Sequence, residues 1–245
     1  MEKAVEVLDL LAVEGELTVA QLADRTGEPR SSLYRLIGSL EKLDFVEPGS
    51  LRGAFRLGVH VLRLGAATFS GLDERSRAIP VMTRIRDETG LTAYLLVRRG
   101  RQAICVERLE GLRVASLALQ VGGSLPLHAG AAPRALLAFG PEEAWQEYAD
   151  GSELQLFTTK TPDSAKRLVE VLAKERRLGV TVSDGDVTNG IAAVGAPIYD
   201  HHGQVKAAIS VSGLREEVIG RSAPDVRRLI AAAAAEISSA LGYEA

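Results

Sequence analysis

The sequence predicts an α+β fold in two domains, and three observations lead to that prediction. Apolar residues recur at helical spacing near the N-terminus, where two short helices meet at Gly27-Glu28-Pro29. Extended segments dominate from 92 to 212, and helices are grouped around them without the strand–helix alternation of a parallel sheet. A chain of 245 residues also exceeds one average domain, so about 170 residues remain for a second unit.

The first helix is predicted over residues 3–13, where apolar residues form one stripe. Thr18 then fits an N-cap, and Gln21 three residues later completes a capping box for a short second helix. Gly27 permits a sharp turn, and Pro29 is favoured at the first position of a third helix. This order of elements predicts a helix-turn-helix.

The third helix, expected over residues 29–43, has two different faces. Its apolar face consists of Leu33, Leu36, Ile37, Leu40 and Leu43. The opposite face carries hydroxyl, phenol and cationic groups, which suit a major groove, because arginine pairs with guanine and hydroxyls bond to either base. The DNA contacts predicted here are the base readers Ser31, Tyr34 and Arg35, the edge residue Ser32, and the phosphate contacts Arg30 and Lys42.

Two short strands are predicted after this helix, at 45–47 and 54–57, joined by a turn at 48–53. Such a hairpin is the wing of a winged helix-turn-helix. Arg52 and Arg56 are expected to meet phosphates there.

The charge pattern confines any DNA-binding face to part of this segment. Residues 1–60 carry seven Lys or Arg and ten Asp or Glu, but residues 25–60 hold six of those bases and only four of the acids. The overall net charge of −3 indicates no general affinity for polyanions, so DNA binding would need a local patch presented in two copies. A small helical bundle with a solvated basic face is the alternative interpretation of the segment.

The remaining chain is predicted to start with a linker helix after Gly58 and a second helix that stops at Gly90. Further helices are expected at 131–139, 142–148, 163–178 and 224–241, and strands at 92–97, 102–108, 113–121, 180–183, 191–199 and 205–212. We expect these strands to form an antiparallel sheet with the strand at 180–183 on its edge.

Composition argues against several classes of protein. The single cysteine, Cys105, rules out a disulfide within the chain and fits a reducing cytoplasm, and packing is its expected role. No run approaches the roughly 20 apolar residues of a membrane span, so we expect a cytoplasmic protein without a membrane partner. No cluster has metal-ligand spacing and no nucleophile–base pair stands out, so no metal, cofactor or catalytic residue is predicted.

A ligand-binding cup is predicted in the second domain. His128 precedes a helix that starts with the small residues Gly130, Ala131 and Ala132, and the uncovered amides of such a helix start bind anions. Ser210 and Ser212 point to one face of a largely apolar strand. These groups would suit a small carboxylate or polar metabolite. Alternatively, His128 packs the loop and the serines bond to neighbouring backbone.

Several segments together resemble the IclR family of bacterial transcriptional regulators. They are EPRSSLYRL at 28–36, LEKLDFV at 40–46, FRLG at 55–58, LPLHAG at 125–130, RLGV at 177–180 and AAISVSG at 207–213. Their order and spacing match the family along nearly the whole chain. Three departures stand out. Ala193 replaces a residue that is often cysteine or another polar type, and Asp186 replaces a more usual glutamate. Gly130, Ala131 and Ala132 make the start of the helix barer than average.

The resemblance implies a winged helix-turn-helix at 1–58, a linker helix at 59–74 and a GAF-like effector-binding and oligomerisation domain at 75–245. It implies homodimers or tetramers that bind a palindromic operator in double-stranded DNA. It also implies a small-molecule effector, often an organic or aromatic acid. The effector contacts expected on this basis are His128, Gly130, Ala131, Ala132, Asp184, Asp186, Ala193, Ser210 and Ser212.

The function predicted from these observations is a transcriptional regulator, acting as a repressor, whose operator binding is controlled by a small metabolite. The protein is not expected to be an enzyme. Two alternatives stay open: a ligandless dimeric DNA binder, and a small-molecule enzyme that uses the C-terminal pocket.

Overall fold

The computed structural model describes residues 2–69, 73–112, 119–151, 153–221 and 225–244, without the side chains of residues 68 and 69. The chain divides into two compact units, Met1–Gly71 and Leu72–Ala245. Each unit has its own hydrophobic core. The predicted α+β class is confirmed, because one unit is mainly helical and the other contains an antiparallel sheet with helices around it.

The N-terminal unit has the order of a winged helix-turn-helix. Its elements are α1 (Glu2–Glu14), β1 (Leu17–Thr18), α2 (Val19–Thr26), α3 (Arg30–Glu41), β2 (Val46–Pro48), β3 (Ala54–Leu57) and α4 (Val59–Phe69). Its core contains Val7, Leu11, Leu17, Val19, Leu22, Leu33, Ile37, Leu40 and Val46.

The turn between α2 and α3 follows local sequence rules. The Thr18 hydroxyl accepts from the Gln21 amide at 3.3 Å, while Gln21 Oε1 accepts from the Thr18 amide at 2.8 Å, so the predicted capping box is present. Gly27 ends α2 with φ 70°, a left-handed conformation that glycine adopts without steric cost. Pro29 was predicted at the first position of α3. It instead lies just before the helix as the N-cap residue, with an extended ψ of 134°.

One apolar position predicted for α3 is wrong. Leu43 is 61% exposed because α3 ends at Glu41 and the chain turns away at Asp44, whose φ of 57° is left-handed. Aspartate tolerates that conformation better than most residues.

The wing is a three-stranded antiparallel sheet in the order β1-β3-β2, in which β1 was not predicted. Glu16 fixes the turn of the hairpin, because its carboxylate accepts from the amide and the hydroxyl of Ser50, each at 2.8 Å. The helix α4 begins directly after this hairpin. Of the linker helix expected at 59–74, α4 covers residues 59–69, residues 70–72 lie outside the described residues, and Asp73 and Glu74 belong to the next helix.

The C-terminal unit is built around one sheet. Its elements are α5 (Asp73–Thr89), β4 (Thr92–Arg99), β5 (Gln102–Leu109), β6 (Ser124–Pro126), α6 (Ala131–Ala138), α7 (Glu143–Asp150), α8 (Ala165–Leu178), β7 (Thr181–Asp184), β8 (Ile191–Tyr199), β9 (Val205–Leu214), α9 (Arg215–Val218) and α10 (Val226–Ala240). The strand order is β6-β5-β4-β9-β8-β7, and every neighbouring pair is antiparallel. As predicted, β7 lies at an edge.

Helices cover both faces of this sheet, which explains the nearly continuous apolar run of β4. Ala93 and Leu95 pack with α5 and α10, whereas Tyr94 and Leu96 point to the other face and pack with α6, α7 and α8. A strand buried on both faces needs apolar side chains at successive positions.

Several predicted elements differ from the structure in their bounds. In the strand expected at 113–121, residues 113–118 lie outside the described residues, and Leu119 and Gln120 are not in a strand. The segment 124–126, for which no strand was predicted, forms β6, because it pairs with β5 at the sheet edge, where a proline is tolerated. The helix expected at 163–178 begins only at Ala165, after Ser164. For the helix expected at 224–241, residue 224 lies outside the described residues, and α10 starts at Val226.

Candidate functional site

The outer face of α3 is exposed and carries polar and cationic side chains. Tyr34 is 62% exposed, and Arg30, Ser31 and Arg35 are also exposed. Ser32 is half-buried at the edge of this face, where the sequence placed it. Lys42 is exposed just past the end of the helix.

Four of the five predicted cationic contacts are unpaired within the described part of the chain. Arg30, Arg35, Lys42 and Arg52 make no ion pair there, so they can approach an anion without breaking one. Arg56 differs, because its guanidinium contacts Glu47 at 2.8 Å and Glu16 at 3.9 Å. Those carboxylates neutralise part of its charge.

A pocket lies in the C-terminal unit between the sheet and the start of α6, with about 530 Å³ of empty space including the part open to solvent. Most of its wall is apolar. The lining residues are Tyr94, Leu96, Leu119, Leu125, Gly130, Ala131, Ala132, Pro133, Ser183, Val187, Thr188, Ile191, Ala193, Ser210 and Ser212.

The strand register places the polar side chains of the pocket floor in two neighbouring rows. In one row, Ser210 of β9 lies opposite Tyr94 of β4 and opposite Gly195 of β8. In the next row, Ala193 of β8 lies between Ser212 and Ser183. Residues opposite each other on neighbouring strands share a face of the sheet, so the three serines and Tyr94 all point toward α6.

The start of α6 lies directly on this floor. Gly130 precedes the helix with φ 90°, a conformation that side-chain-bearing residues rarely adopt. The amides of Ala131 and Ala132 have no intrahelical acceptor, and Pro133 contributes no N–H. These free amides and the positive end of the helix dipole make the wall above the serines a site for an anion.

Six of the nine predicted effector contacts lie together in this pocket. They are Gly130, Ala131, Ala132, Ala193, Ser210 and Ser212. The hydroxyls of both serines make no hydrogen bond to any residue that the structure describes, and Ser210 is only 5% exposed. Neighbouring backbone therefore does not use these hydroxyls.

His128 does not line the pocket. It is buried, its Nε2 lies 2.9 Å from the carbonyl oxygen of Gln155, and its Nδ1 lies 2.9 Å from the Tyr148 hydroxyl. A carbonyl can only accept, so Nε2 carries the proton and the neutral ring accepts from Tyr148 at Nδ1. Burial lowers the pKa of His128, and the nearby Arg134 lowers it further. The His128 ring thus holds its own loop in place, which is the alternative role that was expected for it from the sequence.

Asp184 also lies outside the pocket lining, on the solvent side of β7. It accepts from Arg215 Nε at 2.8 Å and from Nη2 at 3.1 Å, and these bonds lower the pKa of the Asp184 carboxyl. Lys160 contacts the same carboxylate at 3.5 Å. Asp184 is thus engaged in an exposed ion-pair cluster.

Asp186 lies behind the pocket wall in a buried ionic network that the sequence did not reveal. Arg134 of α6 donates to Asp186, to both carboxylate oxygens of Glu175 and, at 2.8 Å, to the Val182 carbonyl. Burial alone would lower the pKa of Arg134, but the two carboxylates raise it above the ordinary arginine value. This network attaches α6 to α8 and to the loop after β7.

Asp186 also connects that network to the pocket. It accepts from the Ser183 hydroxyl, and its Oδ2 lies 3.4 Å from the Gly130 amide nitrogen. The side chain therefore orients two lining residues without lining the pocket itself. The only sequence signal for the network was a lone arginine in an otherwise small and apolar helix.

Tyr94 and the apolar wall were also missed by the sequence interpretation. The strand that contains Tyr94 is apolar at successive positions, so its pattern does not show which side chains face a cavity.

The described residues contain no group of three or more His, Cys, Asp or Glu side chains that could hold a metal ion. Within the same ranges, no helix combines the length and apolar character that crossing a membrane requires. Cys105 is buried in the sheet, and burial raises the pKa of its thiol to about 12.

Comparison with known proteins supports the same two-part organisation. Residues 1–49 match the IclR helix-turn-helix domain, and residues 66–239 match the C-terminal domain of the bacterial transcriptional regulator IclR. The chain is 33% identical to the HTH-type transcriptional regulator KipR of Bacillus subtilis (strain 168), covering 98% of this chain and 96% of KipR. It is 31% identical to the HTH-type transcriptional repressor AllR of Escherichia coli (strain K12), covering 100% of this chain and 91% of AllR.

Solved structures agree with these matches over almost the full length. The IclR protein of Thermotoga maritima superimposes with a TM-score of 0.81 at 27% identity, covering 99% of this chain and 98% of that one. An IclR homologue from Microbacterium hydrocarbonoxydans, complexed with 4-hydroxybenzoate, gives a TM-score of 0.83 at 25% identity, covering 98% and 97%. The chain therefore belongs to the IclR family of bacterial transcriptional regulators, which are DNA-binding proteins and not enzymes.

Proposed function

We propose that this regulator is a repressor whose affinity for its operator is controlled by a small organic acid bound in the C-terminal pocket. The observation that carries the proposal is the juxtaposition of the free α6 amides with the unpartnered Ser210 and Ser212 hydroxyls in an otherwise apolar pocket. A carboxylate placed there would gain hydrogen bonds from both sides, while the apolar wall receives the rest of the molecule. The 4-hydroxybenzoate complex of the Microbacterium homologue supports this ligand class.

On the DNA side, we propose that Ser31, Tyr34 and Arg35 read bases in the major groove. Arg30, Lys42 and Arg52 would hold phosphates, with Ser32 at the edge of the contact and Arg56 contributing less because of its two carboxylate partners. The cations are few, so two copies on a palindromic operator would be needed for tight binding. Half-sites of such operators lie about 34–36 Å apart or a multiple of that distance.

Control by a ligand would act through the relative spacing of the two DNA-binding units in a homodimer or tetramer. The segment 59–74 connects the units and is our candidate for transmitting the change. Because chromosomal DNA is the partner, the proposal places the protein in the cytoplasm. A repressor role is supported by the name of its relative AllR.

The DNA-binding part is tested by selecting a duplex from random DNA with the full-length protein and measuring its binding by fluorescence anisotropy. Arg35→Ala should weaken binding and relax the preference at one base position, whereas Arg84→Ala, an exposed arginine of the C-terminal unit, should not. Unchanged affinity and selectivity of Arg35→Ala would remove Arg35 from the base-reading set.

The ligand part is tested by thermal-shift measurements with a panel of small monocarboxylates. An acid that binds the native pocket should raise Tm in the wild type and much less in Ser210→Ala. If no acid in the panel raises Tm, the alternative of a ligandless dimeric DNA binder is favoured.

A further inference from the structure

Tyr94 lines the pocket, and the proposed carboxylate site does not use its hydroxyl. Tyr94 is 5% exposed, lines the pocket, and makes no hydrogen bond to any residue in the described ranges. A hydroxyl on a pocket-lining side chain without a protein partner is available to hydrogen-bond a ligand. The pocket therefore offers one more hydrogen-bonding position than a simple carboxylate needs.

The strand order places Tyr94 beside Ser210 and farther from the start of α6. The start of α6 lies above Gly195, where an added Cβ would be 2.9 Å from the Ala132 nitrogen. Gly195 lies opposite Ser210, and Ser210 lies opposite Tyr94, so two strand spacings, about 10 Å in all, separate Tyr94 from Gly195 at the level of the sheet. A ligand whose carboxylate lies at the α6 amides can therefore reach Tyr94 with a second polar group on the side away from the helix.

The charges around the pocket limit what that second group can be. Among the described residues, no lysine or arginine lines the pocket. Arg134 lies behind the wall, and its guanidinium is already occupied by Glu175, Asp186 and the Val182 carbonyl. A second carboxylate would thus be desolvated without a cation to balance it, whereas an uncharged hydroxyl or carbonyl would be satisfied by the Tyr94 hydroxyl.

We infer that Tyr94 is a specificity-determining residue, and that the pocket selects monocarboxylates with an uncharged hydroxyl or carbonyl group at the end opposite the carboxylate. This inference rests on the proposed function, because it assumes that the carboxylate occupies the α6 end. According to this inference, the Tyr94 hydroxyl contacts the uncharged polar group of the ligand, while Ser210 and the α6 amides bind the carboxylate.

The test uses the full-length protein and matched pairs of acids that differ only in a distal hydroxyl. Suitable pairs are 4-hydroxybenzoate with benzoate, 4-hydroxyphenylacetate with phenylacetate, and 4-hydroxybutyrate with butyrate. Calorimetric titration gives Kd for each acid with wild type, Tyr94→Phe, Ser210→Ala and the control Tyr243→Phe, which removes a phenol hydroxyl outside the pocket lining.

For at least one pair, the wild type and Tyr243→Phe should bind the hydroxylated acid about 2- to 12-fold more tightly, the usual range for one hydrogen bond. Tyr94→Phe should abolish this preference and keep the affinity for the unhydroxylated acid. Ser210→Ala should weaken both members of the pair by a similar factor.

Two results would overturn the inference in distinguishable ways. If acids bind the wild type but show no hydroxyl preference, or show one that persists in Tyr94→Phe, then Tyr94 does not read the ligand, and the proposed function stands. If no acid of any pair binds the wild type, the proposed ligand class fails together with the inference.

Discussion

Gly195 of β8 lies so close beneath α6 that a Cβ atom at this position would come within 2.9 Å of the backbone nitrogen of Ala132. The missing side chain lets the first turn of α6 rest on the sheet, and Thr181 fixes it there by donating to the Ala131 carbonyl at 2.7 Å. The pocket thus depends on a close approach between a strand and a helix start.

Gly195→Ala should therefore move α6 away from the sheet and destabilise the C-terminal unit by about 1–3 kcal/mol, as overpacking usually does. Thermal unfolding should show a lower Tm. The control is Gly65→Ala in α4, where an added Cβ meets nothing within 4 Å, so Tm should not fall. Equal Tm values for Gly195→Ala and wild type would show that the contact is not tight.

The buried Arg134 network predicts a strong response to the loss of one partner. Glu175→Gln should cost about 3–5 kcal/mol, because it leaves the Arg134 charge partly uncompensated inside the protein. The exposed pair Arg84–Glu236 serves as the control, since Glu236→Gln should cost at most about 1 kcal/mol. Urea unfolding measures both, and similar midpoints for the two variants would contradict the assigned role of the network.

Because of His128, we expect the stability of the folded protein to depend on pH. The pKa of His128 is lower in the folded protein than in the unfolded chain, so His128 binds a proton more readily when the chain is unfolded. The stability of the folded protein must therefore fall as the pH drops from about 6.5, the ordinary histidine value, through the lower pKa of the folded state. His128→Gln should lose this contribution, and the Tm difference between wild type and variant should shrink between pH 7.5 and pH 5. His201 is exposed, so the variant His201→Gln is the control for the loss of a histidine as such. A Tm difference that is constant with pH would show that His128 does not titrate in this range.

We expect the thiol of Cys105 to be unreactive in the folded protein. Its pKa is raised to about 12 by burial, so almost no thiolate is present at pH 8. A thiol-specific chromogenic disulfide should react very slowly with the native protein and should release one equivalent after unfolding in guanidinium, because the chain has one cysteine. Fast stoichiometric reaction of the native protein would show that the sheet opens around Cys105.

The parts of the fold that sequence could predict are those set by local patterns. The capping box at Thr18 and the turn at Gly27 depend on residues only a few positions apart, so their chemistry is visible in the sequence. The alternation of Ser210 and Ser212 correctly predicted a shared face. Leu43 was misplaced because the helical period was extended past the residue at which the chain actually turns.

The remaining features depend on contacts between distant segments. Tyr94 faces Ser210 only because β4 pairs with β9, and no local pattern gives that register. Arg134 meets Glu175 and Asp186 from a separate helix and a separate loop, so the sequence shows an isolated charge and not its partners. His128 was expected among the effector contacts, but contacts with Tyr148 and Gln155 hold its ring outside the pocket lining.

The central claim is that an acid bound in the pocket changes the affinity of the protein for DNA. Fluorescence anisotropy with the selected operator duplex tests it directly, with and without a saturating concentration of the monocarboxylate that gives the largest thermal shift. The wild-type Kd for the operator should change at least about 5-fold, the lower end of usual allosteric coupling, and Ser210→Ala should need a higher acid concentration to reach the same change. An operator Kd that is the same with and without saturating acid would contradict the claim.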